Sequence, residues 1–545
     1  MTDERKTADG NSKVEQPAAI VRSDAQSEEE NAGCGAENLS AGHQAVLDAL
    51  ATAEPINFPP ADQMEERTAY SLSDLGNAHR LVQMHGDDLI YVPEQGWYHW
   101  DSTRWAFDGD QLAAQLKAHD VQTGILQEYH WLKEQGPRPG EDEKDFEKRI
   151  ARTGAWAVQS GMSGRIEGMI KRARPYLSKP HDAFDADPRR ITMAKKTLFL
   201  GANSTVEAYA VRRSDLITRS ANMTYDPNAE CPVFRAFLER VLPDREVRTF
   251  LQRFIGYCAT GLTHEQCLLL LYGTGANGKS TLVEALQFVF GDYAISLPFR
   301  ALLRDDRKQG SAPSPELARL PGARFVASSE ADAGAAFSES LLKNLTGSDR
   351  ITVRQLNKPF FDFYPTFKLV LSFNNRPRVT GIDEGVWRRL ILVPFEQMIP
   401  PEERDKDLPA KLRAEGSGIL NWILDGFREF AEKGLVPPPA VSAATRGYRE
   451  DSDPIGQFLN DAVTYDKDGS VRSNRLFALY NGWCMANGVS PRKATGFGRQ
   501  MNSRNGIVRK KDESSMNVYC GIRLKSGLVF DPENQVLEGS EGLER

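Results

Sequence analysis

The spacing of apolar residues changes along the chain, and each spacing predicts a different kind of element. Large apolar and polar residues alternate over Leu89–Asp110, which predicts a β-hairpin. From 268 to 396, short apolar runs alternate with helical segments and loops, the pattern of an α/β nucleotide-binding core. Apolar residues recur at helical spacing in four further segments, 111–134, 146–177, 232–242 and 245–261.

Shifts in composition predict how the chain is divided. Residues 1–70 are rich in Glu, Asp, Ser, Ala and Gly, and such a segment buries too little apolar surface to offset its ordering entropy. We therefore expect a disordered acidic arm there. The segments expected after it are an α+β domain over 71–225, the α/β core over 226–431, a linker over 432–450, a small DNA-binding domain over 451–530 and an acidic tail over 531–545.

Charge and cysteine usage exclude several classes of protein. A net charge of -7 argues against coating nucleic acid through overall charge, but it leaves room for a local basic patch. The six cysteines include no CxxC pair, which argues against a structural zinc site and fits a reducing compartment. No apolar run approaches the roughly 18 residues of a membrane span, and the N-terminus has no signal-like apolar region. We expect a cytoplasmic protein without membrane partners.

One glycine-rich turn carries the clearest chemical signal. Gly273, Gly278, Lys279 and Ser280 fit the pattern GxxxxGK[ST] between an apolar strand and an apolar-faced helix. Glycines let backbone N–H groups face phosphates, and a helix N-terminus adds partial positive charge. We expect Lys279 to reach the β- and γ-phosphates of ATP and Ser280 to bind Mg²⁺. The nucleotide-binding residues expected from this turn are Gly273, Thr274, Gly275, Ala276, Asn277, Gly278, Lys279, Ser280 and Thr281.

Three more groups follow downstream, each at a strand end. Glu330, with Asp332 as second choice, offers a carboxylate for Mg²⁺ and the attacking water. Asn374 offers an amide that can hold this water. Arg388 and Arg389 could stabilise transition-state charge at a neighbouring subunit's nucleotide, which implies a ring. Each group alone also fits an ordinary turn or salt bridge, but their order favours the catalytic interpretation.

This ordered set resembles the superfamily 3 helicases, and within them the phage and plasmid primase/helicase family, which is related to the poxvirus primase–helicase. The similar segments include "YGTGANGKST", "ARFVASSEADAG", "FKLVLSFNNRPRV" and "DEGVWRRLILVPF". The resemblance implies an AAA+-like P-loop NTPase core, ATP and Mg²⁺ as cofactors, and a homohexamer that moves 3′ to 5′ on single-stranded DNA. The sequence departs from the family at Phe373, where a Thr usually precedes the amide.

Two stretches are candidates for DNA contact. The resemblance places a pore hairpin around Arg354 and Lys358, with Lys368 nearby, where cations would follow the phosphates of a single strand. The aromatic residues beside them fit a core better than a stacking platform. The second stretch, 491–525, carries nine Lys or Arg and two acidic residues in a helix–helix–hairpin order typical of a winged-helix module. Its candidates are Arg499 and Arg504 on the recognition helix and Arg509 and Lys510 on the wing, although a basic protein-binding face is the alternative.

Taken together, these features predict an ATP-dependent DNA helicase for replication of a phage, prophage or plasmid in a bacterial host. Its expected partners are single-stranded and forked DNA, further copies of itself, and a separate primase or other replisome proteins. The polar residues ahead of position 71 are too few for a primase domain, so we expect helicase activity without primase activity. Two alternatives stay open: a helicase that still primes, and an ATP-dependent origin-binding initiator or switch that does not unwind DNA.

Overall fold

The computed structural model describes residues 59–525 except 222, 305–313, 330–335, 355, 357–358 and 380–383, together with the backbone of 528–531 and 536–539. The chain forms two compact units. The first contains the residues up to Met84 and Lys117–Ala173, and the second contains His85–Leu116 and the chain from Arg174 onward. Among the described helices, none is both long and apolar enough to span a membrane.

The first unit is helical and has a polar contact at its centre. Arg80 and Glu128 are each 1% exposed and form a two-pronged ion pair with N–O distances of 2.8 Å. The same guanidinium donates to the carbonyl oxygen of Arg67 at 3.0 Å, so the buried charge is well satisfied. The helices of this unit are Ala61–Ala69, Asp74–His85 up to Met84, Leu112–Gln135 from Lys117 onward, Glu143–Ser160 and Ser163–Ala173. The first of them shows that the end of the segment predicted as a disordered arm is helical.

Two small antiparallel sheets begin the second unit. The alternating segment predicted as a hairpin folds into three strands, because Asp101 accepts hydrogen bonds from the backbone of Thr103 and Arg104 and thereby forms a second tight turn. These strands are β1 (Leu89–Val92), β2 (Gly96–Trp100) and β3 (Trp105–Asp108). The second sheet contains β4 (Arg190–Thr192), β5 (Lys196–Leu200) and β6 (Val206–Ala210) in sequence order.

A five-stranded parallel sheet forms the core of the second unit. Its strands are β7 (Leu268–Tyr272), β8 (Ala294–Ser296), β9 (Phe325–Ser329), β12 (Lys368–Phe373) and β13 (Leu390–Pro394). Their order is β13-β7-β12-β9-β8, so β12 lies directly beside β7. The central strands read as continuous apolar runs because both of their faces are covered.

Helices cover both faces of this sheet. Helices Arg245–Ala259 and Gly416–Lys433 pack backbone to backbone, since a methyl group at Gly256 would lie 2.0 Å from the Phe427 nitrogen. The remaining elements of the core are helices Pro232–Val241, Lys279–Phe290, Glu339–Thr346, Glu384–Trp387 and Leu408–Ala414, and the hairpin of β10 (Ile351–Arg354) and β11 (Phe360–Phe363).

The segment predicted as a linker contains a helix, Pro439–Asp451, which we call the connector helix. It forms because a proline suits the first helical turn and because Val441 and Tyr448, seven residues apart, are buried on one side. Its Thr445 hydroxyl accepts a hydrogen bond from Leu392 N at 3.0 Å, which ties the helix to β13. The loop prediction therefore holds only for residues 434–438, because residues 432 and 433 end the preceding helix.

The C-terminal module combines three helices with a three-stranded antiparallel sheet around its own apolar core. The sheet order is β14-β16-β15. Strand β17 (Leu528–Asp531), at the end of the segment predicted as the module, pairs with β18 (Val536–Gly539), which lies in the segment predicted as an acidic tail. Short apolar runs interrupt the acidic residues there. The module contains helices Pro454–Ala462, Ser473–Ala486 and Ala494–Asn502 and strands β14 (Val463–Arg472), β15 (Val508–Lys511) and β16 (Asn517–Leu524).

Candidate functional site

The glycine-rich turn, residues 273–280, joins the carboxyl end of β7 to the helix that begins at Lys279. Gly278 has a φ of 82°, and a methyl group there would lie 2.7 Å from a Val241 methyl carbon. A methyl group at Gly273 would lie 2.3 Å from the Phe395 carbonyl oxygen. Glycine is therefore required at both positions by the backbone conformation or by the closeness of neighbouring atoms.

Lys279 lies at the centre of the turn and is 4% exposed. Its ammonium group donates to Gly273 O at 2.7 Å, Asn277 Oδ1 at 2.8 Å and Asn374 Oδ1 at 3.1 Å. Burial lowers the pKa of this lysine. All three acceptors are neutral oxygens, so the charge is held by dipoles and stays attractive to an anion such as a phosphate.

Asn277 holds the inner side of the turn. It is 3% exposed, and its Nδ2 donates to Phe395 O at 2.9 Å while its Oδ1 accepts from Lys279. The outer side is tied down by a hydrogen bond from Ile399 N to Ala276 O at 2.8 Å. Both bonds fix the turn to the segment after β13. Of the other predicted contacts, Thr274 and Ser280 are exposed and Gly275 and Thr281 are half-buried.

Asn374 reaches the turn because of the strand order. Residue Phe373 of β12 pairs with Tyr272 of β7, so the residues that follow both strands lie side by side at the carboxyl end of the sheet. A group on β9 would be one strand farther away, because β12 separates β9 from β7. The predicted carboxylates Glu330 and Asp332 lie outside the described residues.

The two predicted arginines lie at the amino end of the strands, at the opposite end of the sheet from the turn. They precede β13, which runs parallel to β7, and Leu268 N donates to Arg389 O at 2.8 Å. Five strand residues, about 16 Å, therefore separate them from the turn of their own chain. Neither arginine can reach that turn. An action on a nucleotide would have to be on a neighbouring copy.

The structure also separates the roles of the two arginines. Arg389 is 8% exposed and donates to Thr346 Oγ1 at 3.1 Å, to Gln266 Oε1 at 3.2 Å and to the carbonyl oxygen of Gly385. Arg388 is exposed, and its Nη2 donates to the same Gln266 oxygen at 2.8 Å. Arg389 is thus part of the folded interior, whereas Arg388 faces outward.

Sequence reasoning missed two residues near these groups. Arg376 follows Asn374 by two positions, and its guanidinium carbon lies 4.3 Å from the ring centre of Tyr272, the residue before the turn. Gln266 Oε1 accepts hydrogen bonds from both Arg388 and Arg389 at the amino end of the strands, and Gln266 has a φ of 48°. The motif "NNRP" carried a signal for Arg376, but no local pattern marks Gln266.

The candidates for DNA contact around the β10–β11 hairpin behave differently from one another. Arg354 lies on β10, with its guanidinium carbon 4.8 Å from the ring centre of Phe360, which is 49% exposed. Phe363 is 5% exposed and Phe361 packs against the same apolar cluster, so these two aromatics fit the core interpretation, whereas Phe360 and Tyr364 are exposed. Lys358 lies outside the described residues.

Lys368 does not lie at the surface, contrary to the prediction from sequence. It begins the central strand β12, is 2% exposed, and donates to the carbonyl oxygens of Thr260 and Leu262. Its ammonium lies 4.3 Å from the ring centre of Tyr257. These contacts neutralise the carbonyl ends of a helix, and they leave Lys368 unable to follow a DNA backbone in this fold.

In the C-terminal module, Arg499, Arg509 and Lys510 are exposed. Arg504, predicted to lie on a recognition helix, instead follows that helix and pairs with both carboxylate oxygens of Asp453 at 2.6 and 2.8 Å. Its side chain is 15% exposed. Arg504 therefore stabilises the module and is not available to a DNA phosphate.

Three protein families match separate parts of the chain. Residues 78–243 match "D5 N terminal like", residues 271–389 match a family described as being of unknown function, and residues 450–521 match "Poxvirus D5 protein-like". Two of the three descriptions carry the name D5, which agrees with the expected relation to the poxvirus primase–helicase.

Similar proteins come from several viruses. A protein of Acanthamoeba polyphaga mimivirus named as a helicase is 32% identical over 242 residues, 41% of this chain and 25% of that protein. One of Frog virus 3, also named as a helicase, is 27% identical over 270 residues, 46% of this chain and 28% of that protein. A protein of African swine fever virus, named as a primase, is 23% identical over 270 residues, which are 46% of this chain and 28% of that protein. The chain thus spans about a quarter of the length of these relatives.

These relatives do not support the phage or plasmid source, or the bacterial host, expected from the sequence. Among solved structures, the C-terminal region of NrS-1 aligns with 61% of this chain and 95% of that region, at a TM-score of 0.34 and 12% identity.

Proposed function

We propose that this chain is an ATP-hydrolysing DNA helicase module that acts in DNA replication as a ring of identical subunits. The observation that carries the proposal is that the candidate groups lie at the two opposite ends of the parallel strands of one sheet. A buried lysine and an amide meet at the glycine-rich turn, at the carboxyl end of the strands, and an exposed arginine lies at their amino end.

The residues of the turn fit a nucleoside triphosphate. Gly273 and Gly278 pack too closely against neighbouring protein atoms to carry side chains, so the backbone of the turn keeps its conformation. Lys279 has only neutral oxygens to exchange for phosphate oxygens. The exposed Ser280 hydroxyl and the carboxylate of Glu330 or Asp332 would hold Mg²⁺, which neutralises developing charge on the phosphates. Asn374 would orient the attacking water once Lys279 releases its amide oxygen.

Arg388 supports a ring. An arginine that completes the site of the next subunit requires a head-to-tail interface, and such interfaces close into rings when the rotation permits. Because about 16 Å separates Arg388 from the turn of its own chain, the proposal requires donor and acceptor to belong to different copies. Arg389 stays inside its own subunit.

Two surfaces with basic residues support DNA binding. The β10–β11 hairpin presents Arg354 beside the exposed ring of Phe360, a pairing of cation and aromatic suited to single-stranded DNA. The C-terminal module has the helix and strand order of a winged helix, with Arg499 on its third helix and Arg509 and Lys510 on the edge strand β15. Forked DNA would contact both surfaces.

Strand displacement from a forked DNA tests the proposal, with ATP hydrolysis measured in parallel. The wild-type chain should hydrolyse ATP faster with DNA present and separate the strands, and Lys279→Ala should do neither. Hydrolysis without strand separation on any fork would instead indicate an origin-binding initiator or switch. A chain that stays monomeric, with an ATPase rate indifferent to DNA, would refute the motor.

A further inference from the structure

We propose that the connector helix transmits the state of the nucleotide site to the C-terminal module, with Arg376 and Asp451 as the positioning residues at its end. The inference rests on the proposed function, because it presumes ATP at the turn and DNA on the module. The helix contacts the loop after β12, the short helix before Arg388 and the module, all within the second unit.

The first contact is with the loop that carries Asn374. Tyr448, 1% exposed, donates its hydroxyl to the carbonyl oxygen of Pro377. Burial raises the pKa of this tyrosine, so the hydroxyl keeps the proton that it donates. One turn later, Asp451 accepts a hydrogen bond from Arg376, whose guanidinium covers the ring of Tyr272. The loop is therefore held between the end of β7 and the end of the connector helix.

The second contact is with the segment that leads to the exposed arginine. The ring of Trp387 meets Tyr448 edge to face, with ring centres 5.4 Å apart. Arg449 donates to Glu384 at 2.6 Å. Helix Glu384–Trp387 ends one residue before Arg388. The connector helix therefore contacts both the loop after β12 that carries Asn374, which we call the amide loop, and the helix that leads to Arg388.

The third contact is with the C-terminal module. Two residues after Asp451, Asp453 caps helix Pro454–Ala462 by accepting from Gly456 N at 3.0 Å. The same carboxylate forms the ion pair with Arg504, two residues beyond the third helix, which carries the exposed Arg499. A displacement of Asp451 would thus reach both the first and the third helix of the module through one short segment.

The amide loop would take a second arrangement when a triphosphate binds. In this structure the Asn374 oxygen accepts from Lys279. A bound triphosphate would take Lys279 for its own oxygens, and Asn374 would then be released towards the attacking water. Because Arg376 is two residues away, this change alters its position over Tyr272 and its pair with Asp451. Both the nucleotide and the module then bias one element, which is the physical requirement for coupling.

The affinity of the full-length chain for a labelled forked DNA, with and without a non-hydrolysable ATP analogue, tests the inference. We expect the analogue to change the affinity by at least about fivefold in the wild type. Asp451→Asn should reduce this ratio to near one while leaving affinity for the analogue unchanged. Asp425→Asn is the matched control, since it removes another half-exposed Asp–Arg pair, with Arg428, outside this path.

Hydrogen exchange of the Ala494–Asn502 helix in the absence of DNA gives a second measurement. The analogue should alter its exchange in the wild type and in Asp425→Asn, but not in Asp451→Asn. A ratio preserved in Asp451→Asn, or a wild type that binds both ligands without any coupling, would overturn the inference and leave the proposed function intact. Failure of the wild type to bind the analogue would refute both.

Discussion

The two neighbouring arginines before β13 provide a sharp test, because their substitutions should fail in different ways. Arg388 is exposed and shares its one described acceptor, Gln266, with Arg389. Arg388→Ala should therefore cost less than about 1 kcal/mol of unfolding free energy. An arginine that stabilises phosphoryl transfer is worth about a thousandfold or more in kcat, so this variant should bind ATP normally and hydrolyse it about a thousandfold more slowly.

Arg389→Ala should act on folding. Three hydrogen bonds, to Thr346, Gln266 and Gly385, are lost from a side chain that is 8% exposed. At about 1 to 1.5 kcal/mol for each bond, the unfolding free energy should fall by about 3 to 4.5 kcal/mol. Urea unfolding measures this loss, and ATPase activity measured well below the unfolding transition separates it from a catalytic defect.

Mixing two inactive variants tests whether Arg388 acts between subunits. Lys279→Ala supplies an intact arginine, and Arg388→Ala supplies an intact turn. In rings formed randomly from equal amounts, about a quarter of the interfaces should combine both intact halves and regain hydrolysis. No recovery in mixed rings, or a wild-type rate in Arg388→Ala alone, would refute the assignment.

Three further outcomes follow from the structure. Gly256→Ala should lower the unfolding free energy by about 3 kcal/mol in urea titrations, because the added methyl would lie 2.0 Å from Phe427 N; an unchanged midpoint would contradict this packing. Burial lowers the pKa of Lys368 to about 7, whereas the unfolded lysine titrates near 10.4, so between these values the unfolded chain binds more protons and stability rises with pH. The wild type should therefore gain stability relative to Lys368→Met between about pH 7 and 8.5, and a constant difference would count against the buried lysine. Arg499→Ala should weaken DNA binding and reduce its salt dependence by about one phosphate contact, whereas Arg504→Ala should lower stability by about 2 kcal/mol instead; equal effects on DNA affinity would contradict the pairing with Asp453.

The sequence alone was sufficient for features that depend on short-range chemistry. Eight consecutive residues, 273–280, were enough to predict the glycine-rich turn and the start of its helix, since glycines, lysine and serine act on neighbouring backbone groups. The apolar runs at β7, β12 and β13 also identified their strands directly, because strands buried on both faces tolerate few polar residues. The connector helix inside the predicted linker was missed, since the prolines read as a loop signal although a proline fits the first turn of this helix.

Tertiary structure decided which of these groups meet and which are exposed. The order of the strands, fixed by packing between distant segments, places Asn374 beside Lys279. The parallel pairing of β13 with β7 places Arg388 at the opposite end of the strands. Whether a cation reaches solvent depends on what covers it: Lys368 is enclosed by a helix end, and Arg504 by Asp453. Such neighbours come from segments tens to hundreds of residues away, so local patterns could list the candidates but could not choose among them.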